Sequence, residues 1–266
     1  MKKNEMEKDI LKKRLQSKII FVILFLIVYI SFAQILEFEG IMSFLSIPEG
    51  IIWLFKNFIP TQNSLKYLPL ILKTGLHTIL TAVTATTVSG FFALIAAVLG
   101  SETIGINRFM KIFTKIVALF FRNIPVVAWS LILLFSFKQS EFTGFLALFF
   151  VSFGYLMRTF TETVDEAGEG VAEALKSTGA SYFQIVFQGI IPSIASQLIS
   201  WLLYYIENGI REATLIGVLT GTGIGFVFDL YYKSNRYDGA GLVILVILII
   251  VIIIELLSNK IRKEMM

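Results

Sequence analysis

Six long apolar runs, separated by short polar stretches, dominate the pattern of this chain. A helix needs roughly 20 apolar residues to cross the hydrocarbon core of a bilayer. Each run is close to that length or exceeds it, so the pattern predicts an all-α, polytopic membrane protein with about six transmembrane helices. The predicted spans are residues 19–36, 78–99, 112–137, 142–160, 189–210 and 240–257.

The composition agrees with a membrane protein and excludes several other classes. Hydrophobic residues make up 56% of the chain and the mean hydropathy is +0.79, which a single soluble core does not explain. The net charge of +4 comes mainly from basic tails that suit anionic lipid, so membrane lipid is an expected partner and nucleic acid is not. The absence of cysteine excludes thiolate metal sites, and the single histidine, His77, is assigned no chemistry. We therefore expect no metal site and no cofactor.

Basic residues flank the first and last runs and predict the orientation. Lysine and arginine in short loops resist translocation, so both termini should be cytoplasmic in a multi-pass protein of the cell membrane. The first run is long, lacks a small-residue cleavage site and precedes further spans, so we expect a retained anchor and not a removed signal peptide. Six crossings then place the polar segment 161–188 in the cytoplasm. The flanking residues are Lys2, Lys3, Lys8, Lys12, Lys13, Arg14 and Lys18 at one end and Lys260, Arg262 and Lys263 at the other.

The sequence lacks the motifs of an ATPase or of a hydrolase. No stretch has the Gly-x-x-x-x-Gly-Lys-Ser/Thr pattern of a phosphate-binding loop, so ATP hydrolysis must come from another chain. The glycines of residues 221–225 follow an apolar span and lack the spacing of a dinucleotide fingerprint. Paired catalytic carboxylates and a Ser-His-Asp set are also missing. The chain is therefore predicted to transport a solute or to act as a scaffold, and not to be an enzyme.

The polar segment between the fourth and fifth runs is suited to contact with a partner. Ala174 permits close backbone approach, Glu173 can meet a partner cation or cap a helix, and Gly179 can adopt the positive φ of a sharp turn. A second helix should begin near Ser181, and Pro192 should lie where the next span starts. The alternative is an ordinary amphipathic loop. The residues whose helical spacing gives the segment a small apolar face are Val171, Ala174, Leu175 and Thr178.

The register of Glu173, Ala174, Gly179 and Pro192 resembles the coupling loop of ABC importer permeases. The resemblance implies that Glu173, Ala174 and Gly179 contact a cytoplasmic ATPase. The positions that depart from the family pattern are Leu175, Gly189 and Ile191.

Two further stretches are similar to the permeases of phosphonate ABC importers. One is Phe-Arg-Asn-Ile-Pro-Val-Val-Ala-Trp at 121–129, and the other contains Arg-Glu at 211–212 and Gly-Ile-Gly-Phe at 223–226. The resemblance covers about residues 74–257 and implies a type I ABC importer permease fold. It also implies a homodimer, two ABC ATPase subunits on the coupling loops and an extracytoplasmic solute-binding protein. The implied cargo is phosphonate or a related phosphorus oxyanion such as phosphate or phosphite.

Ionisable groups at membrane depth usually face a bundle interior or an aqueous cavity, so they are candidates for a translocation pathway. Two alternatives remain open: Glu207 and Arg211, four positions apart, can neutralise each other, and Arg122 can extend to lipid phosphate at the cytoplasmic interface. Gly217, Gly221, Gly223 and Gly225 can pack helices closely or interrupt a helix at a gate. The predicted pathway residues are Arg122, Asn123, Glu207, Arg211, Gly221 and Gly223, and Glu212 is a further charged candidate.

The predicted organisation has four parts. They are a basic cytoplasmic tail (1–18), the first span with an external loop (19–73), a permease domain (74–257) with the coupling loop 161–188, and a second basic tail (258–266). In the external loop, residues 51–55 with Trp53 should form an interfacial helix.

Three functions remain as alternatives to a phosphonate importer. They are an amino-acid or methionine ABC importer permease, an ion-coupled secondary transporter and a membrane scaffold.

Overall fold

The computed structural model describes residues 2–38 and 40–265, and the regular structure in these ranges is helical, without a β-strand. This confirms the all-α fold predicted from the apolar runs. The chain divides into two compact units, Met1–Lys56 and Asn57–Met266. The side chains of residues 2–11, which include Lys2, Lys3 and Lys8, lie outside the described part.

The first unit contains one long helix and two short ones. Residues 12–35 of α1 (Lys2–Ile35) are long and apolar enough to cross a membrane. They are followed by α2 (Gly40–Leu45) and α3 (Ile47–Phe58), the last two residues of which belong to the second unit. The helix predicted around Trp53 is therefore present, and its place at a membrane surface stays a prediction.

The second unit is a bundle of long helices joined by short turns. Side-chain caps begin two of them, because Asn107 accepts a hydrogen bond from the Met110 N–H and Ser140 accepts one from the Thr143 N–H. After a 3-10 turn (Ser64–Tyr67), the elements are α4 (Leu68–Gly100), α5 (Arg108–Asn123), α6 (Val126–Phe137), α7 (Glu141–Ser177), α8 (Tyr182–Gln184), a π-helical turn (Ile185–Ile190), α9 (Ile191–Thr220), α10 (Gly223–Lys233) and α11 (Tyr237–Met265).

The described chain has five helical stretches long and apolar enough to span a membrane, or six if one bent pair is a single span. The bent pair is α5 and α6, whose axes differ by 89°. The apolar run at 112–137 is thus not the straight helix that its length suggested. Pro125 explains the bend: it has no N–H to continue α5, and it holds Ile124 in an extended conformation at φ −90° and ψ 118°.

Helices α4 and α7 run parallel. The α5–α6 pair, which connects the end of α4 to the start of α7, must therefore cross from one end of the bundle to the other. At one end of the bundle, His77 Nδ1 lies 3.2 Å from Glu141 Oε1. At the other end, the Ser101 hydroxyl donates a hydrogen bond to Asp165 Oδ1 at 2.5 Å. The bent pair follows Ser101 and precedes Glu141, so it runs from one end of the bundle to the other. It is a broken span and not a re-entrant loop.

Small residues allow the long helices to approach one another closely. On α4, Gly90 lies against Leu202 of α9, and Thr86 lies against Gly209 of α9. These pairs show that α9 runs antiparallel to α4. The fully buried alanines of α4 are Ala82, Ala85, Ala93 and Ala97.

The segment 161–188, predicted to be a coupling loop with a short helix before Gly179 and a second one near Ser181, is mostly helical. Helix α7 continues to Ser177 and α8 starts at Tyr182, so only residues 178–181 form the turn between them. A π-helical turn then joins α8 to α9. Pro192 lies in the first turn of α9, as predicted, and its ring cannot donate to the carbonyl four residues back. The backbone widens there, because the Ile191 N–H donates to the Val186 carbonyl five residues back.

Candidate functional site

The turn between α7 and α8 has the geometry that the sequence predicted around Gly179. Gly179 adopts φ +82°, and Ser181 caps the next helix. The Gly179 N–H donates to the Lys176 carbonyl and the Ala180 N–H to the Leu175 carbonyl, each at 3.1 Å, which together form a Schellman motif. A Cβ at Gly179 would meet no atom within 4 Å, so the backbone conformation alone calls for glycine here.

The outward face of this turn differs from the predicted apolar face. Val171 and Leu175 pack inward, into the space that a Cβ of Gly189 would need. The expectation that these two side chains face a partner is wrong, because they pack against the π-helical turn that leads into α9. Glu173 and Ala174 remain exposed.

Aromatic side chains beside the turn supply the exposed apolar surface. Phe183 and Phe187 are 70% and 61% exposed, and their rings stack with centroids 6.3 Å apart. The spacing of four positions was the sequence signal that could have predicted a shared helical face for them. We call Glu173, Ala174, Phe183 and Phe187 the turn surface.

Glu207 and Arg211 belong to an ion-pair network between α9 and α11. Glu207 is 8% exposed, and its carboxylate lies 2.6 Å from the Arg211 guanidinium and 3.4 Å from that of Arg262. Arg211 also lies 3.9 Å from Glu255. We call these four residues the α9–α11 network. Two arginines balance two glutamates, so the mutual neutralisation of Glu207 and Arg211, one of the two alternatives, is present and extends to two residues that sequence reasoning missed.

A polar groove between α7 and α9 was also missed. Arg211 Nη1 donates to Asn208 Oδ1 at 2.9 Å, and Asn208 lines a cavity of about 260 Å³ together with Glu212. A second cavity, of about 570 Å³, lies along the same two helices, and Thr159 in its lining is 3.4 Å from Tyr205 in the first. Polar groups on spanning helices usually face water or protein. We call these two cavities the α7–α9 groove.

Arg122 and Asn123 end α5 at its bend. Asn123 is exposed, whereas Arg122 lines a cavity of about 380 Å³ between α5 and α7. The Nε of Arg122 is buried and has no hydrogen-bond partner among the described residues. Because an arginine stays charged under ordinary conditions, this group lacks the neutralisation that Arg211 has.

The helix interruption considered for the glycine-rich stretch is present. Gly221 caps α9 at φ +69° and Gly223 starts α10 at φ +64°. Gly217 and Gly225 instead allow close helix packing, because a Cβ on either would collide with backbone atoms across the α9–α10 contact. The N–H that follows Gly223 donates to Thr78 Oγ1 at 2.9 Å, which holds the break against α4. A role at a gate stays a prediction.

The structure therefore distributes the predicted site residues over four places. This separation means that the spans contain several polar locations and not one composite site. Glu173, Ala174 and Gly179 lie at the turn, Glu207 and Arg211 in the α9–α11 network, Arg122 and Asn123 at the α5 bend, and Gly221 and Gly223 at the α9–α10 break.

The apolar spans, the polar groove along two of them and the exposed turn define a multi-pass membrane transport protein. Residues 89–263 match the family model of binding-protein-dependent transport system inner membrane components. Because this match covers more than half of the chain, the chain belongs to that family.

Two relatives and one solved structure place the chain more closely. The phosphate-import permease protein PhnE of Mycolicibacterium smegmatis is 25% identical over 192 residues, which are 72% of this chain and 36% of that protein. The phosphite transport system permease protein PtxC of Stutzerimonas stutzeri is 22% identical over 188 residues, which are 71% of this chain and 68% of that protein. The chain thus spans about a third of the length of the mycobacterial relative.

The structural similarity extends over most of the chain. An inward-facing structure of the MetNI methionine ABC transporter has a TM-score of 0.66 at 16% identity, over 77% of this chain and 99% of that chain. At this identity the similarity concerns the fold alone, and it agrees with the predicted permease fold.

Proposed function

We propose that this chain is the transmembrane permease subunit of an ATP-driven importer for phosphonate or a related phosphorus oxyanion, such as phosphate or phosphite. Its family membership and the names of its relatives support this cargo class. Because the sequence lacks an ATP-binding loop, a separate cytoplasmic ABC ATPase supplies the energy. An extracytoplasmic solute-binding protein delivers the cargo to a homodimer of this chain.

The exposed turn surface is the observation that carries this proposal. Its backbone hydrogen bonds fix the turn, so Glu173 and Ala174 are presented outward from a rigid support next to two exposed phenylalanine rings. Exposed aromatic side chains on a rigid support are well suited to anchor a protein partner. An ATPase bound there acts on α7 and α9 together, because Leu175 packs at Gly189 in the π-helical turn that leads into α9.

The proposed cargo route follows the α7–α9 groove. The groove carries polar side chains on two helices that are long and apolar enough to span the membrane. Such side chains are costly against lipid, so they favour a water-accessible route. Arg211 lies at the edge of this route through its hydrogen bond to Asn208. The alternative of an amino-acid or methionine cargo has the MetNI likeness in its favour, which extends only to the fold.

Both termini and the turn surface are proposed to be cytoplasmic. The basic tails favour this orientation, and a broken α5–α6 span supports it by bringing the number of crossings to six. Because the chain has no cysteine, single cysteines can be introduced without background. Cysteines at Ser17, Ser177 and Asn259 should be protected from an impermeant thiol reagent in intact cells, and one at Ser234 should react. Asn259 is chosen because its neighbour Ser258 is buried; labelling of Ser177 from outside would contradict this topology.

The turn surface is tested by variants that change its conformation or its charge. Gly179→Val strains the positive φ and Glu173→Lys reverses a contact charge, so each should reduce co-purification of the ATPase and uptake of labelled phosphonate about tenfold. The matched control is Gly170→Val, because Gly170 is helical and a Cβ there also meets no atom within 4 Å. Normal ATPase association in both test variants would remove this role. Inhibition of uptake by methionine and not by phosphate would favour the alternative cargo.

A further inference from the structure

The cavity between α5 and α7 is separate from the α7–α9 groove. Its charged lining residues are Glu102, Lys115, Arg122, Arg158, Glu162 and Asp165. Glu162 also lines the groove, and it forms an ion pair with Arg158 at 2.6 Å. This pair is the wall between the two spaces.

The carboxylates of the cavity already have partners. The pKa of Glu102 is lowered below its usual value by hydrogen bonds from Lys115 and Lys111, so this carboxylate stays ionised near neutral pH. Glu102 and Glu162 are therefore paired with cations other than Arg122, and Asp165 accepts hydrogen bonds from neutral groups. The contacts are Glu102 with Lys115 at 2.7 Å, Glu162 with Arg158 at 2.6 Å, and Asp165 with the Ser101 hydroxyl at 2.5 Å.

Arg122 is the cation in this lining that has no partner among the described residues. Its Nε is buried, and its backbone lies against Gly154 of α7, where a Cβ would collide with it. The opposite face of α5 is apolar and exposed, with Phe109 at 71% and Ile116 at 59%, whereas Lys115 and Arg122 of the same helix line the cavity. Arg122 as a whole is partly exposed, so its guanidinium lines the cavity as a charge without a protein partner, and an anion bound there would supply one.

We propose that the α5–α7 cavity binds a tetrahedral phosphate-type oxyanion, with Arg122 as the anchoring cation and Lys115 and Arg158 beside it. The planar fork of an arginine matches two oxygens of such an anion, and lysine adds a point charge. The cavity volume of about 380 Å³ lies within the range of small-ligand sites. The site lies beyond the proposed cargo route, on the other side of the Arg158–Glu162 pair. Its ligand is either a free anion or the headgroup of an anionic phospholipid.

Two binding measurements on the purified full-length chain separate the two sources. In detergent, isothermal titration calorimetry with inorganic phosphate and with methylphosphonate tests a free anion. In nanodiscs, native mass spectrometry with phosphatidylcholine alone, or with added phosphatidylglycerol, tests a retained lipid. We expect one anion per chain in at least one of these experiments. Absence of binding in both would overturn the proposal.

Variants assign the binding to Arg122. Arg122→Gln should weaken the observed binding about tenfold or more, as expected for loss of a charge-assisted contact. Arg122→Lys keeps the charge and loses the fork, so it should fold and bind about threefold or more weakly. The control Lys233→Gln removes a charge that is 73% exposed and lies outside the cavity, and should bind normally. Unchanged affinity in Arg122→Lys and in any folded Arg122→Gln would contradict the anchoring role. None of these measurements requires transport or the ATPase, so this proposal and the importer proposal can fail separately.

Discussion

Two arginines on the spanning helices have opposite electrostatic surroundings. Arg211 shares the Glu207 carboxylate with Arg262 and approaches Glu255, whereas Arg122 has no partner among the described residues. Both stand in similar sequence, at a polar interruption of an apolar run. The difference shows that a charge at membrane depth does not by itself indicate a binding site. The side chains that fold against it decide whether it is part of the framework or is free to bind a ligand.

The largest expected effect concerns the shared carboxylate of the α9–α11 network. Glu207→Leu removes the acceptor of Arg211 and Arg262 and leaves two cations without their main partner. We expect the free energy of unfolding in detergent to fall by about 3 kcal/mol. Denaturant titration followed by tryptophan fluorescence measures this loss. Glu49→Leu is the control, because Glu49 is exposed, and a loss of the same size there would show that the network is unimportant.

A second prediction separates framework from transport at Arg211. Neutralising only Glu207 and Arg211, as Glu207→Gln/Arg211→Met, would leave Arg262 and Glu255 charged. The test therefore uses a fourfold variant in which all four members of the α9–α11 network are replaced by neutral residues. If Arg211 also attracts an anionic cargo, this fourfold variant should reach the membrane normally and take up labelled phosphonate about tenfold more slowly. Full uptake at equal membrane abundance would leave Arg211 with a structural role alone.

The smallest effect is expected where the charge is unpaired. Arg122→Met keeps most of the aliphatic side chain and leaves no carboxylate without a partner, so the free energy of unfolding should change by less than about 0.5 kcal/mol. The matched variant is Arg262→Met, which removes a partner of Glu207 and should destabilise more. Equal losses in the two variants would show that the contrast between the two arginines is not real.

Local interactions explain which features the sequence could predict. Gly179 and Ser181 end one helix and cap the next through contacts within a few residues, so their conformations could be predicted. Pro192 likewise lies in the first turn of its helix. The signal for the α5–α6 bend was also local, because Pro125 restricts the residue before it. It was missed because the length of the apolar run was given more weight than the proline.

Long-range contacts explain what the sequence could not predict. The partner of Glu207 in α11 is Arg262, 55 positions away, in a tail interpreted only as a signal for orientation. Val171 and Leu175 have the spacing of an outward apolar face, yet they pack against Gly189 in the π-helical turn. The groove was missed for the same reason, since its polar side chains are scattered along two helices and form a lining only when α7 packs against α9.

The unbroken course of α7 has a mechanical consequence. Its 37 residues extend about 55 Å at 1.5 Å per residue. The neighbouring spans are interrupted, one at the bend before Pro125 and the other at the π-helical turn and at Gly221. Helix α7 is therefore a continuous, stiff helix that lies between two spans with breaks in their helices. If a partner displaces the turn surface, we expect α7 to carry the movement to the His77–Glu141 end of the bundle and the interrupted spans to bend.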